Sequence, residues 1–434
     1  MLRRLAASPY SLWIAFLLVH ILLGFLGLHT VGKPFGDVNF VYLPWAQLAA
    51  QGTSVVGIDT DWVYPLVAIV PMMIPLLFGA SNYMGGWLTM VLLLNAAAFA
   101  VLIVGREPRR IAAAWWWLLF LTLLGPIAIG RLDTVSVAIV IIGLLWLTLH
   151  ERAAIVALTL ATWIKVWPAA VIAAAMIAFK SRWHILTVAV VTSVVIVIVA
   201  LAFGSGMHVF SFITMQTGRG LQIEAPVSSI WMWQAALGVP GSAVVYDREL
   251  LTFEVIGKGT TTASSLMSPL LAIAVIVVVL IGLRAVRRGA PVTRILPELS
   301  LAFVAALIAF NKVGSPQYVA WLAAPVLIGL VYQGRGFRTP TILVTVTAAL
   351  TQIMYPYFYD FILEVQPAIL VVLTLRNLMF FVILGWTVFA LWRDAHPADS
   401  ELDALPLRVW PFRVPSPSTA SRLVESRATV EEQP

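Results

Sequence analysis

Apolar residues run along the chain in long blocks, near 10–29, 83–104, 111–129, 132–149, 183–203, 264–283, 296–310, 316–331, 339–355 and 366–392. Most of these blocks approach the ~20 apolar residues that a membrane-spanning helix needs. Basic residues punctuate them: Arg3 and Arg4; Arg106, Arg109 and Arg110; Arg152; Lys180 and Arg182; Arg284, Arg287, Arg288 and Arg294; Arg335 and Arg338. The excess of positive charge in cytoplasmic loops puts all of these on the cytoplasmic face. That requirement settles two ambiguous stretches. The run 64–80, interrupted by Pro65, Pro71 and Pro75, cannot cross without inverting every later loop, and is expected as a broken helix in the outer leaflet. The run 153–180 must cross twice, as two short limbs turning at Lys165, Trp167 and Pro168. The prediction is an all-α polytopic membrane protein of about 12 transmembrane helices, with both termini cytoplasmic and amphipathic helices in its first periplasmic loop.

Composition agrees. Of 434 residues, 61% are hydrophobic and 11% charged, and the mean hydropathy is +0.96. A soluble domain carries about a quarter of its residues as charges, so a large soluble core is excluded. The net charge of +7 is spread over short loops rather than gathered on one face, so it reads as membrane topology and no nucleic-acid partner is expected. The absence of cysteine excludes disulfides, thiolate metal sites and Cys nucleophiles. The stretch 11–28 is long enough to span and no small-residue cleavage site stands out, so a retained first helix is expected rather than a signal peptide. The chain divides into a transmembrane domain, 1–392, and a tail, 393–434, rich in Pro, Ser, Ala and charge and expected to be disordered in the cytoplasm.

Three non-cytoplasmic segments, 30–80, 204–262 and 355–364, are too long to be plain connectors. No internal repeat is apparent, which disfavours a secondary transporter. Eight cations fall outside the cytoplasmic loops: Lys33, Arg131, Lys165, Arg219, Arg248, Lys258, Lys312 and Arg376. A cation held in hydrocarbon costs about 2.5–3.5 kcal/mol at a helix centre, so such groups need partners. Arg376 lies deep in the last apolar block, where a bound anion and an ion pair with a loop carboxylate are equal readings. Lys165 stands at the apex of the two short limbs, and Lys312 in Asn311-Lys312-Val313-Gly314-Ser315-Pro316-Gln317-Tyr318 stands where two blocks meet the outer surface. Each alone reads as an interfacial anchor; together they form a seat for a lipid phosphate. Arg131 precedes Asp133 by two residues and can pair with it.

Among the carboxylates, Asp37 lies just beyond the first block, in Gly36-Asp37-Val38-Asn39-Phe40-Val41-Tyr42-Leu43-Pro44-Trp45. A carboxylate at the border of water and acyl chains suits a general base; a helix cap is the alternative. Asp59 and Asp61 compete for the role but read as a turn before Trp62. In Gln216-Thr217-Gly218-Arg219-Gly220-Leu221-Gln222-Ile223-Glu224, two glycines flank an Arg and allow close approach to a ligand. The segment lacks the Lys and Ser/Thr of a nucleotide-binding loop, and an ordered turn with an Arg–Glu pair explains it equally. The six histidines have no metal-ligand spacing and no Gly-x-Ser-x-Gly is present, so no metal site, no cofactor and no Ser nucleophile is expected.

Taken as an ordered set, several motifs resemble the integral-membrane C-type (GT-C) glycosyltransferases. They are Gly36-Asp37-Val38 with Tyr42 and Trp45, Asp61-Trp62-Val63-Tyr64-Pro65, Ile164-Lys165 with Pro168, Arg219 to Glu224, Ser315-Pro316-Gln317-Tyr318, and Arg376-Asn377. Their order and shared outer placement look like glycosyltransferase family 87, the polyprenol-phosphate-mannose-dependent α-1,2-mannosyltransferases, over residues 8–393. Gly130-Arg131 departs from the Gly-Gln often found in that family. The resemblance implies a multi-pass enzyme of the plasma (inner) membrane with its site facing the periplasm. It implies Asp37 as catalytic base, Arg219, Lys312, Lys165 and Arg376 as holders of the donor phosphate, and Tyr42, Gln222, Glu224, Gln317 and Asp61 as acceptor or sugar contacts. The implied partners are a polyprenyl-phosphate sugar, a glycolipid acceptor such as a phosphatidylinositol mannoside or lipoglycan, and membrane lipids. Decaprenyl-phosphate arabinose is the nearest alternative donor. A polyprenyl-phosphate transporter or flippase is the alternative of another class, and it would not need Asp37.

Overall fold

A computed structural model describes residues 8–215, 219–248 and 252–393. Arg3, Arg4, the Gln216-Thr217-Gly218 part of the second outer loop and the tail beyond Arg393 lie outside the described residues. Twelve helices carry the apolar blocks: α1 Pro9–His29, α2 Tyr83–Ile103, α3 Pro108–Leu124, α4 Leu132–Trp146, α5 Glu151–Ile164, α6 Pro168–Ala178, α7 Arg182–Ala202, α8 Thr260–Arg287, α9 Val292–Ala309, α10 Ala323–Gln333, α11 Arg338–Gln352 and α12 Pro367–Trp392. Among the described residues, six are long and apolar enough to cross a membrane by length and composition: α1, α2 within Ala80–Arg106, α7, α8, α9 and α12.

Burial sorts these helices by their neighbours. The central helix, α9, is 83% buried over its most apolar stretch and packs on α12, α6, α10 and α8. By contrast α7 is only 11% buried and α8 22%, so their apolar side chains face outward, as helices solvated by acyl chains do. Several polar groups inside the bundle are partnered. His20 of α1 meets the Asn95 amide of α2 at 3.0 Å while its other ring nitrogen meets the Phe16 carbonyl. The Arg110 guanidinium donates to the carbonyls of Val101 and Leu102 at the end of α2, satisfying acceptors that a helix terminus leaves unpaired.

The run 153–180 folds as a hairpin. At 1.5 Å per residue, α5 and α6 are about 21 and 16 Å long, each well short of a ~30 Å hydrocarbon layer. Pro168 opens α6 at its first turn, where a missing N–H costs nothing, and Lys165 takes an extended backbone that ends α5. Both α7 and α8 pack on α6, and at the hairpin apex Val166 is 51% exposed. The run 64–80 breaks into short helical pieces, Leu66–Ala68, Ile69–Met73 and Ile74–Phe78.

One element departs from an all-helical reading. The second outer loop contains three short antiparallel strands, β1 Leu221–Gln222, β2 Ala243–Asp247 and β3 Thr252–Ile256, in the order β1-β3-β2. The strands are too short to stand out against the long apolar blocks, and β1 has only two residues.

Candidate functional site

After α1 the chain turns through Phe35 into a π-helical turn, Val38–Tyr42, and then a helix, Leu43–Ala50. Val38, Tyr42 and Ala46 are buried; this apolar stripe sets the segment on the bundle. The Tyr42 hydroxyl accepts the Leu132 amide at 3.3 Å, fixing the turn to the start of α4. Asp37, at the head of this turn, makes no side-chain cap. Its Oδ2 lies 3.1 Å from Nε of Arg131, with the Asp37 side chain 38% exposed and Arg131 almost enclosed. The same guanidinium donates to the carbonyls of Pro34 and Gly130 and to the Tyr355 hydroxyl. Arg131 therefore pairs with Asp37, 94 residues away, and not with Asp133.

Asp133 instead meets Lys165 across 3.2 Å. Its other oxygen accepts the Trp321 indole N–H at 2.6 Å. The Lys165 ammonium sits 4.7 Å from the centre of the Tyr64 ring and 5.9 Å from that of Tyr318. Trp321 is stacked between Tyr318, at 4.2 Å, and Trp167, at 5.7 Å. The hairpin apex is thus tied to α4 by charge and to the Pro316–Leu322 turn by aromatic packing. Gln317 lies half-buried in that turn.

The third wall comes from the small sheet. The Gln222 amide donates to the Lys312 carbonyl at 3.1 Å. Gly314 lies so close to the backbone of Glu224 and Ala225 that a Cβ there would overlap it. The Gly220 amide donates to Glu254 Oε1 at 3.1 Å, and Glu254 also feels the charges of Arg219 and Lys312. Burial, and then Asp247, push the Glu254 carboxyl above its ordinary range. Burial, and then the nearby Arg219, pull the Lys312 ammonium below its own. Behind this wall, Tyr359 donates to Glu224 Oε1 at 2.9 Å, and burial raises the Glu224 carboxyl. Arg376, 1% exposed, donates through Nη1 to the Glu224 carbonyl and to Asn377 Oδ1, while its Nε and Nη2 make no hydrogen bond.

These pieces converge. Tyr64 lies within electrostatic reach of Lys165, Asp37, Asp133 and Arg131; Tyr318, of Lys165 and Arg219; Tyr355, of Arg131, Asp37 and Glu224. Among the residues singled out from sequence, Asp37, Tyr42, Lys165, Arg219, Gln222, Glu224, Lys312 and Gln317 all belong to these three walls, and Arg376 backs one of them. Asp61 is held outward: it is exposed, 2.6 Å from His208 Nδ1, while the next residue, Trp62, donates its amide to Ser211. Sequence reasoning did not single out Glu254, Trp321, Tyr355 or Tyr359, and it assigned Asp133 no partner but Arg131. A carboxylate opening an apolar helix was itself a signal, because such groups are rare in spans and need a partner. Among the described residues, no three His, Asp or Glu side chains group as a metal site.

Comparison with known proteins adds little. No family model and no curated protein matches the chain. It is similar to the crystal structure of ArnT from Cupriavidus metallidurans in the apo state, at 13% identity, over 89% of this chain and 78% of that one, with a TM-score of 0.44. A likeness that loose carries no argument about this chain.

Proposed function

We propose that the chain is a GT-C-type membrane glycosyltransferase that moves mannose from a polyprenyl-phosphate donor to a hydroxyl of a phosphatidylinositol mannoside or lipoglycan. The reaction is inverting and takes place at the periplasmic face. The observation that carries this reading is a carboxylate, Asp37, 38% exposed and held by Arg131, that acts on the same Tyr64 ring as the Lys165 cation, with Arg219 and Lys312 both near Glu254.

In this reading Asp37 accepts the proton of the acceptor hydroxyl. The acceptor oxygen bonds to the anomeric carbon as the bond from that carbon to the phosphate oxygen breaks, and the electron pair leaves on the phosphate. Lys165, Arg219 and Lys312 hold the growing negative charge, and Arg376 adds the field of a buried cation from behind Glu224. A polyprenyl phosphate is already a good leaving group, so a single carboxylate suffices where glycosidases use two. Arg131 orients Asp37. Tyr42, Gln222, Glu224 and Gln317 are assigned to the sugar and acceptor, and Asp61, held outward by His208, is not. The exposed apex at Val166, between outward-facing α7 and α8, suits entry of a lipid from the side.

The test is incubation of the purified chain with polyprenyl-phosphate mannose, decaprenyl-phosphate arabinose and defined glycolipids, with products read by mass spectrometry. A glycolipid heavier by one hexose is the expected product. A pentose adduct would reassign the donor. Movement of the donor lipid between leaflets of a vesicle, with no transfer, would replace the enzyme by a flippase.

A further inference from the structure

A second site lies at the far end of α5, about 21 Å along the helix from the Lys165 apex. There a cleft of ≈ 750 Å³ is lined at its head by His150, Arg152 and His184 and along its length by Val156, Ala157 and Leu160. The three apolar residues follow helical spacing and form one stripe on α5. The acidic member of the lining, Glu151, is already engaged: Ser181 Oγ donates to its Oε2 at 2.6 Å, and its Oε1 lies 3.8 Å from His184 Nε2. Against this one carboxylate stand Arg152 and, next to the cleft in sequence, Lys180 and Arg182, so the formal charge around the head of the cleft is positive. Trp183, 74% exposed, flanks the same turn, the placement that amphipathic rings take at headgroup level.

We propose that this cleft binds an anionic phospholipid, with its phosphate at Arg152 and an acyl chain along the Val156, Ala157 and Leu160 stripe. Two features select a lipid over a soluble anion. From Arg152 to Leu160 the stripe runs about 12 Å, and a free phosphate would leave it uncovered. Beside the cleft stands α7, the least buried of the six long helices, so the cleft borders the bilayer. Basic pockets between helices at a membrane surface hold acidic lipid headgroups by this combination of charge and apolar wall.

Delipidated full-length protein in detergent is titrated with phosphatidylglycerol, phosphatidylcholine or inorganic phosphate, and binding is read by native mass spectrometry and thermal stability. Phosphatidylglycerol is expected to be retained in preference to phosphatidylcholine. Arg152→Gln, an exposed change, should weaken phosphatidylglycerol roughly fivefold and leave phosphatidylcholine unaltered. Ala157→Trp, which fills the wall without changing charge, should displace both lipids. Equal retention of the two lipids, an unchanged Arg152→Gln, or protection by inorganic phosphate equal to that by phosphatidylglycerol would each overturn the proposal. None of these readouts depends on glycosyl transfer.

Discussion

Replacing Asp37 with Asn separates base chemistry from architecture. Asn keeps the shape of the side chain and can still accept from Arg131, but it cannot take a proton. A positioned general base contributes about 10²- to 10⁴-fold to a rate, equivalent to ~3–5 kcal/mol of barrier. The structural cost is smaller. Arg131 is enclosed but retains three other acceptors, Pro34, Gly130 and Tyr355, and its partner Asp37 is 38% exposed. The loss of such a pair falls between that of an exposed and that of a buried one, about 1–3 kcal/mol. The variant should therefore fold, melt within a few degrees of the parent and bind donor normally, yet transfer mannose at least a hundredfold more slowly. Initial rates from purified polyprenyl-phosphate mannose, with donor affinity and melting temperature measured on the same sample, test all three parts. A folded variant that transfers within tenfold of the parent rate would show that Asp37 is not the base.

Asp133→Asn strands the Lys165 ammonium in its aromatic cradle, and breaking a buried pair costs about 3–5 kcal/mol; thermal unfolding in detergent should show the loss, and adding Lys165→Met should recover much of it. A single-variant loss below ~1 kcal/mol would mean the pair is dispensable. Arg376→Gln removes a buried positive field from behind Glu224 and should weaken donor binding about fivefold, ~1 kcal/mol of long-range attraction at an effective dielectric of ~20; unchanged affinity removes Arg376 from the phosphate site. Lys312, held below the ordinary lysine range by burial and Arg219, loses its proton at lower pH than a free lysine. Donor affinity should fall as pH rises through that window, and Lys312→Arg should flatten the profile. The unfolded chain binds the more protons in that window, so this group makes the fold more stable as pH rises, and unfolding would not account for the lost affinity.

The elements legible in sequence were those written in local pattern. Each long apolar block is a helix, Pro168 marks the hairpin, and Asp37 stands out because it follows a span at once. What was hidden depends on distance along the chain. Arg131 finds Asp37 and not Asp133 two residues on, which meets Lys165 instead. Lys165, read as a free phosphate ligand, has a carboxylate partner 32 residues upstream. Glu254 gained its place through the register that pairs it with Gln222, and nothing in a five-residue strand announces a partner at the far end of the same loop.

Because the Lys165 apex is hung from Asp133 and Trp321, inside the protein, its depth is set by internal contacts and not by either water interface. A thicker or thinner bilayer would tilt or stretch the long outer helices, while this charge keeps its distance from Asp37. The protein thereby sets the depth of this charge from within, whatever the tail length of the lipids around it.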